Sequence, residues 1–176
     1  MDPFNFQKNI VISNLEFSYS KKDKGIIKKI NLIINKGDRV GIIGPTGSGK
    51  STLLDILMGL LEPTKGFVYV DEKNIYSLKN HNNLYNWRSS ISHVPQDIYL
   101  TDNTIAENIA FGVQKNLIDM NKVKLAAKNA QIANFIEKFP EKYYAIVGER
   151  GVRLSGGQKQ RIGIARALYK ESKVLF

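Results

Sequence analysis

The nine residues from Gly44 to Thr52 have the types and the spacing of a loop that binds phosphate. In order they are Gly44, Pro45, Thr46, Gly47, Ser48, Gly49, Lys50, Ser51 and Thr52. They match the pattern G-x-x-x-x-G-K-[ST]. The three glycines allow positive φ and bring backbone N–H groups close to phosphate oxygens. Lys50 adds a positive charge against the β- and γ-phosphates, and Ser51 offers a hydroxyl oxygen to Mg²⁺.

A second glycine motif lies near the end of the chain. Residues 154–161 are Leu-Ser-Gly-Gly-Gln-Lys-Gln-Arg. Ser155 is a good N-cap, and Gly156 and Gly157 leave backbone amides bare at the start of a helix. This predicts a second anion site, with nothing nearby in the sequence to fill it. The helix from Gln158 to Tyr169 has Arg161, Arg166 and Lys170 on its polar face, and a plain capped helix is the alternative.

The composition is that of one globular domain. The chain has 176 residues, of which 43% are hydrophobic and 24% charged. It has no cysteine, which excludes disulfides, thiolate catalysis and Cys-type metal sites. The two histidines, His81 and His93, make a multi-histidine metal centre a poor prediction. The first residues lack the basic and apolar pattern of a secretory signal, and no run of about 18 apolar residues predicts a membrane span.

The net charge of +10 raises the possibility of a nucleic-acid partner. Lysine supplies 20 of the 26 positive residues and arginine only 6. A surface poor in arginine is less suited to recognising phosphates or bases, so we expect a solvated charge and no nucleic-acid partner. A basic nucleic-acid binder stays as an alternative.

Hydrophobic periodicity predicts strands, then a helix, then a largely helical block and a last strand. The predicted strands are 9–19, 28–35, 39–43, 66–70 and 173–176, and the predicted helices include 51–60 and 158–169. Asp102 or Thr104, Asn121 and Ser155 are the candidate caps of the later helices. This order predicts an α/β core with a helical subdomain inserted before the last strand.

Together, the two glycine motifs resemble those of the ATP-binding cassette (ABC) family, whose signature is L-S-G-G-Q. The resemblance covers essentially the whole chain. Tyr19 falls where the family has an aromatic residue that stacks on adenine. Gln96, in Val94-Pro95-Gln96-Asp97, matches the glutamine of the family's Q-loop. The segments 100–112 and 148–151 resemble those of exporter-type cassettes.

The resemblance implies an α/β fold of the P-loop NTPase type. It has an N-terminal antiparallel β subdomain, a mixed sheet core and an inserted α-helical subdomain at about 97–168. The chain 1–176 would be one such domain, with the C-terminal part of the core missing.

The resemblance also implies a mechanism in which two cassettes sandwich two ATP molecules. Ser155, Gly156, Gly157 and Gln158 would complete the site built on the partner's phosphate loop. Lys50 and Gln96 would act in hydrolysis, and Ser51 and Gln96 would hold Mg²⁺. ATP binding and hydrolysis would power export through a transmembrane domain, fused upstream or on a separate chain. The cassette would lie at the cytoplasmic face of a plasma or inner membrane, as a homodimer or heterodimer.

The chain departs from the family pattern at its end. In the family, the strand after the signature helix ends in Asp-Glu, which supply a magnesium ligand and the general base. Here the sequence ends at Phe176, so no residue is assigned as the base, and we expect a truncated cassette with lost or strongly impaired turnover. A non-catalytic ATP-binding module is therefore an alternative. Within the family, the ATPases of DNA repair and chromosome structure are the nearest alternative, and importer cassettes are a weaker one. The DNA-repair and chromosome ATPases have long coiled coils between the two motifs, whereas 105 positions separate Lys50 from Ser155 here.

Overall fold

The computed structural model describes residues 6–20, 25–77 and 82–176. Its first part holds a four-stranded antiparallel sheet with the order β2-β1-β3-β4. The strands are β1 (Asn9–Phe17), β2 (Ile27–Asn35), β3 (Lys65–Val70) and β4 (Lys73–Asn74). The alternation of apolar and polar residues in β1 predicted one buried face, and Ile10, Ile12, Leu15 and Phe17 are indeed buried.

The register of this sheet places apolar residues opposite one another. Ile12 of β1 pairs with Leu32 of β2 on one side and with Val68 of β3 on the other. Cross-strand neighbours on one face contact each other, so the row forms a continuous apolar layer beneath the sheet.

Two helices complete the first part of the fold. They are α1 (Lys50–Leu57), which directly follows the glycine-rich loop, and α2 (Asn82–Ser90). Trp87 of α2 is fully buried, and its indole nitrogen donates a 2.7 Å hydrogen bond to the carbonyl of Leu57. Since Leu57 is the last residue of α1, this bond satisfies one of the free carbonyls at that helix end.

The strand predicted over 39–43 does not form, because it lacks a neighbouring strand to pair with among the described residues. Residues 38–45 have no regular secondary structure. Val40 is 50% exposed and Ile43 is 94% exposed. A strand needs a neighbouring backbone for its ladder of hydrogen bonds. None of the segments that the structure describes pairs with 39–43.

The chain divides into two compact units, with the second running from Ser92 to Leu175. The helices of the second unit are α3 (Ile105–Ile109), α4 (Met120–Asn129), α5 (Ala133–Ile136) and α6 (Gly156–Tyr169). Short 3₁₀ turns lie at Lys115–Leu117, Lys142–Tyr144 and Glu149–Gly151. The two-residue strands β5 (Ile91–Ser92) and β6 (Val174–Leu175) form a second sheet.

The caps of these helices follow two of the three sequence predictions. Thr104 caps α3 and Ser155 caps α6, each in a capping box. The cap of α4 is Asp119, whose carboxylate accepts hydrogen bonds from the amides of Asn121 and Lys122. The prediction of Asn121 as a cap is wrong. Aspartate and asparagine are about equally good caps, so residue preference could not choose between positions two residues apart.

None of the helices described is both long enough and apolar enough to cross a bilayer.

Candidate functional site

The glycine-rich loop enters α1 through two left-handed residues. Gly47 has φ 81° and Gly49 has φ 88°, as the motif predicted. Gly44 does not adopt a positive φ, so its predicted conformational role is wrong. It instead supplies space, since a Cβ at that position would lie 2.8 Å from the hydroxyl of Ser48.

Lys50 folds back over this loop. Its Nζ donates hydrogen bonds to the carbonyls of Gly44 at 2.9 Å and Pro45 at 2.7 Å. The first helical hydrogen bond of α1 runs from the amide of Leu53 to the carbonyl of Gly49. The amides before Leu53 therefore precede the helical ladder, at the positive end of the helix. The positive charge of Lys50 and the N-terminus of α1 thus lie at the same loop, an arrangement that suits the binding of a phosphate.

A pocket of about 340 Å³ opens at this point. Its lining consists of Ile26, Thr46, Gly47, Gly49, Lys50, Ser51 and Thr52. Ile26 forms the apolar wall, and a Cβ at Gly49 would lie 2.9 Å from its Cγ2. Glycine is thus required at 49 both by its left-handed backbone and by the space available. The lining includes a lysine and three hydroxyls, which suits an anion.

Tyr19 lies beside the loop. Its phenol oxygen is 3.3 Å from the hydroxyl of Thr52, within hydrogen-bonding distance. The ring packs edge to face against Phe17, with 5.0 Å between ring centroids, and Tyr19 remains 61% exposed. The structure therefore brings the predicted stacking residue to the phosphate loop.

The signature motif forms the start of α6. The Ser155 hydroxyl accepts a hydrogen bond from the Gln158 amide, and the Ser155 amide donates to the side-chain oxygen of Gln158. This assigns Gln158 a capping role that the sequence did not predict. Gly156 and Gly157 are exposed, and a Cβ on either would meet nothing within 4 Å. Their amides precede the first helical hydrogen bond, which Lys159 donates to Ser155.

Gln96 is exposed in the loop that precedes α3. Its carbonyl accepts a 2.9 Å hydrogen bond from the side-chain amide of Gln160 in α6. The predicted site residues are thus distributed over both units. Tyr19 and the phosphate loop lie together in the first unit, and the loop of Gln96 and the signature helix lie together in the second.

Asn108 and Arg166 were not predicted as functional residues, yet both bond to the backbone of the segment that follows Gln96. Asn108 is fully buried, and its side chain bonds the backbone at both Thr101 and Thr104. Arg166 is not on a purely solvated face: it donates to the carbonyls of Asn108 and Tyr99, and burial lowers the pKa of its guanidinium. The available signal was an asparagine in a segment whose apolar residues include Ile105, Ala106, Ile109 and Ala110, because a polar group buried among them needs partners.

The comparisons with known proteins identify the class. The family model described as ABC transporter matches residues 27–176, and the chain belongs to this family. ABC transporter B family member 29, chloroplastic, from Arabidopsis thaliana is 40% identical over 166 residues, which cover 94% of this chain and 26% of that protein. ATP-binding cassette sub-family B member 5 from Homo sapiens is 38% identical over 174 residues, which cover 98% of this chain and 13% of that protein.

A solved structure agrees with these relatives. The structure of a bacterial Atm1-family ABC exporter with ATP bound matches with a TM-score of 0.85 and 35% identity. The match covers 99% of this chain and 29% of that one, so the chain spans less than a third of these proteins. The predicted fold class is confirmed: the chain is an ATP-binding cassette of the ABC transporter family, homologous to exporters, with an antiparallel sheet near its N-terminus.

Proposed function

We propose that this chain binds Mg·ATP at the loop from Gly44 to Thr52. The observation that carries the proposal is the loop itself, where left-handed Gly47 and Gly49 lead into α1 and Lys50 lies over the pocket. Lys50 would contact the β- and γ-phosphates, and the Ser51 hydroxyl would be a ligand of Mg²⁺. Tyr19 would stack on the adenine ring.

We further propose that the cassette powers export as part of a dimer. The relatives supply the argument, because the matched structure is an exporter with ATP bound. Ser155, Gly156, Gly157 and Gln158 would approach the γ-phosphate held by a second cassette, and the exposed amides of Gly156 and Gly157, which precede the helical ladder, would donate to it. The cassette would work with a transmembrane domain at the cytoplasmic face of a membrane, with Gln96 near Mg²⁺ or the attacking water.

A second candidate function is ATP binding without turnover. It is favoured by the pocket lining, because Lys50 and the three hydroxyls suit binding of the phosphates and binding does not itself require turnover. A phosphate-release assay decides between the two. Mg²⁺-dependent release that is lost in Lys50→Ala rejects the binding module, whereas tight ATP binding with no release supports it.

Calorimetry with Lys50→Ala tests the binding site. Removing one charge-assisted contact costs about 1.5–3 kcal/mol, so ATP affinity should fall about ten- to 150-fold. Lys128→Ala, which removes an exposed lysine from α4, is the matched control and should leave affinity unchanged. An unchanged affinity in Lys50→Ala would refute the assignment of this loop.

A further inference from the structure

One stripe of α6 contacts the loop of Gln96. Gln160, Gly163 and Arg166 are spaced three residues apart and so share one side of the helix. Gln160 Nε2 donates to the carbonyl of Gln96 at 2.9 Å, and Arg166 Nη2 donates to the carbonyl of Tyr99 at 3.0 Å.

Between these two hydrogen bonds, Gly163 permits direct packing of the loop on the helix. Gly163 is buried, and a Cβ there would overlap the Ile98 side chain. Because interiors are close-packed, an added methyl at this point would push the loop away from the helix. The loop therefore rests on the helix at three successive points.

The Arg166 end of the stripe is firmly held. Its Nε donates to the carbonyl of Asn108 at 2.9 Å, and its guanidinium lies 4.7 Å from the centroid of the Phe111 ring. The Gln160 end is more open, since Gln160 is only half-buried and Gln96 is exposed. Among the residues that the structure describes, the hydrogen bond from Gln160 is thus what holds Gln96 at the exposed end of an otherwise packed contact.

We infer that Gln160 is a positioning residue for Gln96. Its amide holds the Gln96 carbonyl and so sets the direction in which the Gln96 side chain leaves the loop. The helix that carries Gln160 begins at the signature glycines, so this hydrogen bond links the loop to the signature motif. The functional part of this inference rests on the proposed function, in which Gln96 acts near Mg²⁺.

The experiment uses the full 176-residue chain and three variants at one position. Gln160→Glu keeps the shape but replaces the donating nitrogen by an oxygen, Gln160→Met removes the polar group, and Gln160→Lys restores an N–H donor. Chymotrypsin cleavage after Tyr99 measures how often the loop leaves the helix. Cleavage should be about three- to ten-fold faster in the Glu and Met variants, as expected for one lost hydrogen bond, and near wild type in the Lys variant.

A second readout separates positioning from general loosening. The ratio of ATP affinity with Mg²⁺ to that with EDTA should fall several-fold in Gln160→Glu and Gln160→Met but not in Gln160→Lys. Affinity in EDTA should stay constant in all three, because the phosphate loop is untouched. Lys128→Ala again serves as the surface control.

Each outcome is decisive. Unchanged cleavage after Tyr99 in both Gln160→Glu and Gln160→Met overturns the inference. Faster cleavage with a wild-type Mg²⁺ ratio overturns the positioning role of Gln160 toward Gln96 and its metal. If Gln160→Glu is also cleaved faster within α4, it has lost its fold and Gln160→Met decides by the same criteria. If the wild-type chain shows no ATP binding, the proposed function fails, and the cleavage rates alone decide whether Gln160 holds the loop.

Discussion

The phenol oxygen of Tyr19 lies 3.3 Å from the hydroxyl oxygen of Thr52. Tyr19 follows β1 and Thr52 lies in the first turn of α1, so the contact joins two residues that are 33 positions apart in the sequence. The contact places an aromatic ring at the edge of the phosphate pocket, where the base of a bound nucleotide would extend from its phosphates. Thr52 is itself buried, which gives the tyrosine a fixed partner.

Tyr19→Phe and Tyr19→Ala separate the two contributions of this residue. The Phe variant keeps the ring and loses only the hydroxyl, so ATP affinity should stay within about three-fold of wild type. The Ala variant loses stacking worth about 1–3 kcal/mol, which corresponds to about five- to 150-fold in affinity. Calorimetry with ATP and with GTP measures both, and the loss should be similar for the two because stacking tolerates either base. Equal affinity of the Phe and Ala variants would contradict a stacking role.

Much of the fold and the phosphate loop could be predicted because the signals are local. The alternation in β1, the glycine spacing of the loop and the serine before α6 each depend on residues that are neighbours in sequence. The contact of Tyr19 with Thr52 could be anticipated only through the family resemblance, since spacing alone does not indicate which loop a strand end will meet.

The errors arose where a distant partner decides the outcome. The apolar run at 39–43 has strand character, but pairing is a property of two segments and no described segment pairs with it. Arg166 has the spacing of a solvated helix face, yet it is half-buried because the carbonyls of Tyr99 and Asn108 accept its hydrogen bonds. Gln160 likewise bonds to Gln96, which lies 64 positions away, so the residues next to Gln160 in sequence do not indicate this contact.

Gly49→Ala should lower both stability and ATP binding. The new methyl would sit in a left-handed backbone at φ 88°, 2.9 Å from Ile26. The backbone alone costs about 1–2 kcal/mol for a residue with a Cβ. We expect a lower midpoint of thermal unfolding, followed by circular dichroism, and weaker ATP binding by calorimetry.

Gly156→Ala is the matched control for this substitution. It too adds one methyl at the start of a helix, but Gly156 has open space around its Cβ position and no positive φ. Its unfolding midpoint should equal or exceed that of the wild type, because alanine favours helix more than glycine does. Equal effects of the two substitutions would show that left-handed geometry at Gly49 is not what the loop requires.

Ser155→Arg should leave ATP binding by the single chain intact and block ATP-driven dimerisation. The arginine would project from the exposed start of α6, where the proposed partner approaches. Ser155→Thr keeps both the hydroxyl and the cap and should dimerise as the wild type does. Size-exclusion chromatography with Mg·ATP measures the dimer, and an arginine variant that still dimerises contradicts the proposed trans site.

The capping box of α3 should make the second unit sensitive to acid. The Thr104 hydroxyl donates a 2.6 Å hydrogen bond to the Glu107 carboxylate, and the Thr104 amide donates to it at 3.1 Å. These bonds lower the pKa of Glu107, with a smaller contribution from Lys115. A carboxyl with a depressed folded-state pKa stabilises the fold above its unfolded pKa of about 4.3, and that stabilisation is lost as the pH falls through the folded-state pKa.

Glu107→Gln measures this contribution. The amide keeps the shape of the capping box but not the charge, so the variant should be less stable at pH 7 by about 0.3–1 kcal/mol. The gap should narrow as the pH falls below the unfolded-state pKa and should close once the pH has passed the lower folded-state pKa of Glu107. Urea unfolding of both proteins across this pH range measures the stability gap. The gap should be smaller in a Thr104→Val background, which lacks the donating hydroxyl. A gap that stays constant from neutral to acid pH would contradict the role of the Glu107 charge.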